Sequence, residues 1–339
     1  MSIETGKILS FDSLGIGYFS GKKKKILLPP LKGTGLKGEL IAVIGRNGVG
    51  KSTLLRTIAG LQPVIDGKIE IEGRNIFEYS RIQLSSRVGY ISTEPVRVSN
   101  MKVYDLVSLG RFPHTDWFGK IEESDHKVIL DALAKTGLSE FSRRNINEIS
   151  DGERQRALIA MVLAQDADIM VMDEPTAFLD ISNKIEIMHL LHRLTREKKK
   201  TIVFSTHDFS NAISQSDKIW MMRDDGLLEG APEDIMLTGA FRSLFDETKV
   251  GYNPHDGSFT IRHQEKGPVA VRGEGDIRYW TEKAVTRAGY YIDAGSGLIE
   301  IDAPSEPDQK WKCLKETESH EFGNIYDLIA WIRNNDPIS

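Results

Sequence analysis

The stretch Gly45–Thr53, GRNGVGKST, restricts this chain more than any other. It satisfies G-x-x-x-x-G-K-[ST] and stands between the apolar run LIAVIG and a helix-forming segment, Lys51–Ala59, that Gly60 stops. A strand, a glycine turn and a helix in that order make a cradle for phosphate. Bare backbone N–H groups wrap the anion, and the helix dipole favours its charge. A sheet carrying this motif presents the carboxyl end of a strand to a helix N-terminus. That points to an α/β fold with a mainly parallel sheet. The motif makes Gly45, Asn47, Gly48, Gly50, Lys51, Ser52 and Thr53 the candidate ATP contacts. Lys51 would reach the β- and γ-phosphates, and the Ser52 hydroxyl would hold Mg²⁺.

A second apolar run, IMVMDEP, sets Asp173 at the carboxyl end of a buried strand, where such sheets place an acid beside the phosphate turn. Asp173 can take Mg²⁺ through water, and the adjacent Glu174 can polarise an attacking water. His207 follows the strand-like TIVFST and precedes Asp208. The octet ISDGERQR opens another helix. Ser150 and Glu153 fit the S-x-x-E capping box. Gly152 lies inside that first turn, where glycine costs about 1 kcal/mol relative to alanine. Its presence implies close approach by a group that wants bare backbone, such as a phosphate.

Short strands punctuated by glycine and proline fill the N-terminus up to Leu40–Ile44, and Lys22–Lys25 reads as a solvated hairpin tip. KIEIEGRNI and RVGYIS read as strands, and Val103 to about Leu138 as mostly helical, interrupted by the loop GRFPHTDWFG. Ile181–Arg196 and Phe209–Ser214 read as helices, and KIWMMRDDGLLEG as a hairpin. Beyond Phe245 glycine, proline and acidic residues rise, with strand-like SFTIRH, PVAVRG, GYYIDA and GLIEID and helices at Ile277–Ala288 and Ile325–Arg333. We expect an ATP-binding domain over 1–245 with a helical subdomain at about 95–165, then a small α/β domain over 246–339.

The net charge of −5 argues against general nucleic-acid binding, where a basic patch is expected. A single cysteine excludes an intrachain disulfide and suits a reducing compartment. No apolar run approaches the ~20 residues of a spanning helix, and the N-terminus lacks a signal pattern, so a cytoplasmic location is expected.

GRNGVGKST, ISDGERQR, IMVMDEP, FLD and STHD, in this order over roughly residues 7–245, resemble the ATP-binding subunits of ABC transporters. The resemblance implies a P-loop NTPase of the ABC type, with an N-terminal antiparallel β part and an inserted helical subdomain. It also implies a head-to-tail homodimer, in which each ATP lies between the P-loop of one subunit and the signature helix of the other. Ser150 and Gly152, with Glu153 in the same turn, would then act on the γ-phosphate bound by the partner. Asp180 of FLD matches the loop crossing the dimer interface, and His207 the switch histidine that helps orient water. Tyr18, in LGIGYF, matches the aromatic that stacks on adenine, although pattern alone would place it in the core.

Departures from the family pattern are Thr93 where glutamine is usual, Asp151 where glycine is common, and Glu153 for glutamine. LVSLGRFPHTDWFGK with the acidic ESD, AMVLAQD, HDFSNA and EGAPEDIM resembles importers of iron–siderophore complexes, haem and cobalamin. That likeness implies integral membrane permease subunits and, indirectly, a substrate-binding protein. It places the chain peripherally on the inner face of the cell membrane. The segment past Phe245 is longer than that subfamily's usual end; a dimerising, sensing or merely stabilising role is open to it. The rival is a soluble ABC ATPase of cofactor (iron–sulfur) assembly, against which the loop GRFPHTDWFG weighs. A non-hydrolysing sensor is disfavoured by Glu174 and His207.

Overall fold

The computed structural model describes residues 6–335 except 22, 95–97, 99, 117–118, 245–249, 253–258, 262–265, 294–298 and 316–317. The chain forms two compact units, Met1–Glu247 with Tyr252–Ser258, and Thr248–Gly251 with Phe259–Ser339.

The larger unit is built on a six-stranded sheet. Leu40–Gly45 lies between Thr201–Ser205 and Lys218–Arg223, parallel to both. Ile169–Met172 and then Val88–Ile91 continue the parallel order beyond Thr201–Ser205. Gly226–Gly230 closes the other edge as the antiparallel half of the expected hairpin. Every residue of Leu40–Gly45 is buried. Its continuous run of aliphatic side chains, with no polar alternation, is what a strand covered on both faces requires.

An antiparallel sheet of Leu31–Leu36, Lys7–Gly15, Asp66–Ile71 and Arg74–Asn75 forms the N-terminal β part. Its Phe11 meets Trp220 of the parallel sheet edge-to-face, with ring centroids 5.1 Å apart. The single strand expected at KIEIEGRNI is in fact two. Glu72 (φ 51°) and Gly73 (φ 76°) turn the chain back, pairing Glu70 with Asn75. Positive φ at both central residues is the signature of a tight hairpin turn, and the glycine was the available signal.

The helical subdomain holds Val103–Ser108, Glu123–Lys135 and the signature helix Asp151–Ala164. The expected loop GRFPHTDWFG begins instead inside a 3₁₀ helix, Leu109–His114, and its Trp117 and Phe118 lie outside the described residues. Arg111 fixes this turn by donating to Asp125 Oδ1 and to the Ala164 carbonyl, each at 2.8 Å. A Cβ at Gly110 would lie 2.0 Å from the Met161 carbonyl oxygen, so the close helix approach depends on glycine there. No helix among the described residues is long and apolar enough to cross a membrane.

The smaller unit has a five-stranded sheet in the order Tyr291–Ile292, Pro268–Arg272, Ile299–Asp302, Trp311–Lys315, Glu318–Phe322. Helices Gly275–Arg287 and Ile325–Asn334 pack their apolar faces into a core with Val269, Val271, Ile299, Ile301 and Cys313. The hairpin Trp311–Phe322 was not expected from the sequence. Within WKCLK only Trp311 and Cys313 turn inward, and the flanking Lys312 and Lys315 mask a short alternation. Burial pushes the Cys313 thiol up to about 12. Iodoacetamide at pH 8 is therefore expected to leave native protein unlabelled and to label one site per chain in denaturant. Fast labelling of the native chain would contradict this buried position.

Candidate active site

The carboxyl ends of the parallel strands converge on the P-loop. Register pairs Met172 with Ile91 on one side and with Phe204 on the other. Asp173, Ser205 and the residues after Ile91 therefore emerge side by side.

Gly45, Gly48 and Gly50 have φ of 153°, 79° and 113°, values that L side chains rarely adopt. A Cβ on Gly45 would also lie 2.6 Å from the Met222 carbonyl oxygen. Gly50 is the N-cap of the helix Lys51–Ile58, and no side chain caps that end. Its first-turn N–H groups are thus available to an anion. Asn47 and Gly48 are exposed at the loop tip. Lys51 is buried, with Nζ donating to the carbonyls of Gly45 at 3.0 Å and Arg46 at 3.2 Å. Burial lowers its pKa, and the Glu174 and Asp173 carboxylates oppose that shift.

Asp173 Oδ1 accepts from Ser52 Oγ at 3.1 Å and from Ser205 Oγ at 2.7 Å. The same Ser205 Oγ accepts the Glu174 N–H at 2.9 Å. Glu174 sits at φ 50°, in the left-handed region. The bond that its N–H donates to Ser205 Oγ offsets part of that strain. His207 Nε2 lies 2.6 Å from Glu174 Oε1. One hydroxyl therefore organises both acids. The role of Ser205 is not legible in STHD; the one signal for it is a polar residue at the end of an apolar strand.

Thr93 Oγ1 donates to the Asp173 carbonyl at 3.1 Å, so its side chain holds the strand end. Tyr18 is 50% exposed, not core, and its hydroxyl lies 2.8 Å from Thr53 Oγ1 at the start of the P-loop helix.

Ser150, Gly152, Glu153 and Asp180 form a second group. Ser150 Oγ accepts the Glu153 N–H at 3.2 Å, and Glu153 Oε2 accepts the Ser150 N–H at 2.7 Å. This completed capping box leaves the exposed Ser150 hydroxyl proton free to donate. Asp180 caps the helix Ile181–Lys198, its Oδ1 accepting the Asn183 N–H at 2.8 Å. The neighbour of bare Gly152 differs from the sequence expectation: a Cβ there would lie 2.1 Å from Asn183 Oδ1. A protein amide occupies that approach. Nearby Phe178 is 92% exposed at φ 62°.

The first group suits a nucleoside triphosphate with a divalent cation. Uncapped N–H groups and Lys51 face the phosphate position, while the Ser52 hydroxyl and Asp173 carboxylate stand together. Among the described residues no three His, Cys, Asp or Glu side chains gather as a metal site. A hydroxyl plus one carboxylate, completed by substrate phosphates and water, is the donor set that Mg²⁺ takes.

Residues 30–177 match the ABC transporter family profile, and residues 266–333 match the iron ABC transporter C-terminal domain. The chain is 34% identical to the iron(3+)-hydroxamate import ATP-binding protein of Bacillus subtilis, over 70% of this chain and 87% of that one. It is 30% identical to the cobalamin import ATP-binding protein of Halobacterium salinarum, over 81% of this chain and 71% of that one. The solved structure of cbiO1 from Clostridium perfringens, part of the ABC transporter complex cbiONQ, is similar with a TM-score of 0.61 and 29% identity, covering 70% of this chain and 94% of that one. With its phosphate turn, paired acids and capped signature helix on one scaffold, the chain belongs to the ATP-binding, ATP-hydrolysing subunits of ABC transporters.

Proposed function

We propose that this chain powers an importer of an iron chelate, haem or cobalamin, working through a separate pair of integral membrane permease subunits. A substrate-binding protein would deliver the cargo, touching this chain only indirectly. The chain would sit in the cytoplasm, peripherally on the inner face of the membrane. The observation that carries the reading is the joined set Lys51, Ser52, Asp173, Glu174 and His207 beneath uncapped helix N–H groups. The iron(3+)-hydroxamate and cobalamin import relatives support the iron-chelate and cobalamin cargo.

In this reading residues 1–245 carry the ATPase and 246–339 form an accessory domain. Two copies close head to tail on ATP. Tyr18 leaves Thr53 to stack on adenine, and the P-loop N–H groups with Lys51 take the phosphates. Ser52 and Asp173 would hold Mg²⁺, which when bound supplies positive charge against the developing phosphoryl charge. Glu174, oriented by His207, aligns a water for in-line attack. The partner's signature turn, through the Ser150 hydroxyl and the N–H groups around Gly152, stabilises charge on the transferring phosphoryl group. Asp180 lies at the seam between the copies.

Affinity purification of the tagged chain from its own cells in mild detergent tests the transport role. A stoichiometric polytopic membrane protein is expected to accompany it. Purely soluble partners, with the chain absent from the membrane fraction, would move the reading to an assembly ATPase.

A further inference from the structure

The signature helix Asp151–Ala164 and the helix Ile181–Lys198 touch at two points. At the first, the Asn183 amide lies against the bare Gly152 α-carbon, where a Cβ would come within 2.1 Å of Oδ1 and 2.5 Å of Cγ. At the second, one turn along each helix, Arg156 pairs with Glu186 at 2.6 Å. The steps from Gly152 to Arg156 and from Asn183 to Glu186 are those of residues sharing one helix face. Both helices begin here with a side-chain cap, Ser150 on one and Asp180 on the other. Helical side chains lean toward the N-terminus of their own helix. Asn183 therefore reaches past its own first turn onto the other, while its backbone N–H bonds Asp180 Oδ1.

We propose that Asn183, seconded by the Arg156–Glu186 pair, is a positioning residue. It holds the signature turn Ser150–Glu153 in fixed register with the Asp180 segment. The two elements that face the partner copy then arrive at its nucleotide as one piece. This rests on the reading above that Ser150 acts on the partner's ATP. It also gives Gly152 a second reason to lack a side chain: any Cβ would displace the amide that sets the register.

The decisive variant is Asn183→Ala, which keeps the backbone N–H that Asp180 accepts and places a good helix former in the first turn. Three quantities are to be compared with the parent: binding of a fluorescent ATP analogue to the monomer, ATP-driven dimerisation in the Glu174→Gln background by sedimentation, and turnover. Analogue binding is expected to stay unchanged, because the P-loop is untouched. Turnover and dimerisation are expected to fall about 10- to 100-fold, the scale of a small misplacement of a catalytic group. Adding Glu186→Ala is expected to cost less than its separate effect, since both contacts hold one register. Gly152→Ala, which pushes on the same amide from the other side, is expected to reproduce the dimerisation defect even if Asn183→Ala folds poorly. Parental turnover and dimerisation in Asn183→Ala, with Ser150→Ala inactive, would overturn the positioning role alone. Parental turnover in Ser150→Ala would overturn the underlying reading of the signature turn.

Discussion

Glu174→Gln is expected to abolish ATP turnover while leaving ATP bound, so that the protein accumulates as a nucleotide-trapped dimer. The glutamine keeps the size of the side chain and its place 2.6 Å from His207 Nε2, but it no longer offers a carboxylate to a water. Loss of a positioned general base costs about 10²- to 10⁴-fold in rate. Ser205 bonds the backbone N–H of this residue, not its carboxylate, so the strand end and Asp173 are undisturbed. Sedimentation with and without ATP should show dimer only with ATP, and single-turnover assays should show almost no phosphate release. A variant that hydrolyses ATP at the parental rate would remove Glu174 from the chemistry and leave the water to another group.

Lys51→Ala is expected to fail one step earlier, at binding. The ammonium is buried, donates to the Gly45 and Arg46 carbonyls, and feels the charge of the Asp173 and Glu174 carboxylates. Removing it takes away a buried cation whose charge offsets that of Asp173 and Glu174 in a site meant for an anion. Incoming phosphates would then meet net repulsion where they had met a cation. Loss of one donor to a developing phosphoryl charge is worth about 10²- to 10³-fold in rate, and repulsion adds to it. Equilibrium binding of a fluorescent nucleotide should separate the two variants: Glu174→Gln binds, and Lys51→Ala binds weakly or not at all. Equal binding by both would mean that the P-loop N–H groups carry the affinity alone.

These variants touch residues that were legible in the sequence, because each sits in a short motif that also encodes its own backbone. GRNGVGKST specifies the turn, IMVMDEP the strand that ends in the acids, and ISDGERQR the cap. What the sequence hid depends on neighbours far along the chain. Ser205 matters only because Thr201–Ser205 pairs in register with Ile169–Met172. Tyr18 reads as core because aromatics in strands are more often buried; its exposure and its bond to Thr53 follow from the pairing Tyr18–Lys25 at the unit's surface. Gly152 announced a close approach but not by what, since Asn183 comes from another helix. In the smaller unit, Trp311–Phe322 escaped notice because lysines and glutamates decorate both strands of the hairpin. Local chemistry was visible, and contacts between distant segments were not.

Side chains alternate between faces along a strand, so slipping Ile169–Met172 by one residue would turn the Asp173 carboxylate to the opposite face. What guards against this is the buried apolar packing of Met170, Val171, Val203 and Phe204. The accuracy of the reaction is thus inherited from residues with no chemistry of their own. A variant library selected only for folding would keep many such cores, whereas one selected for turnover would keep few. For this chain the packing behind the site is the tighter specification.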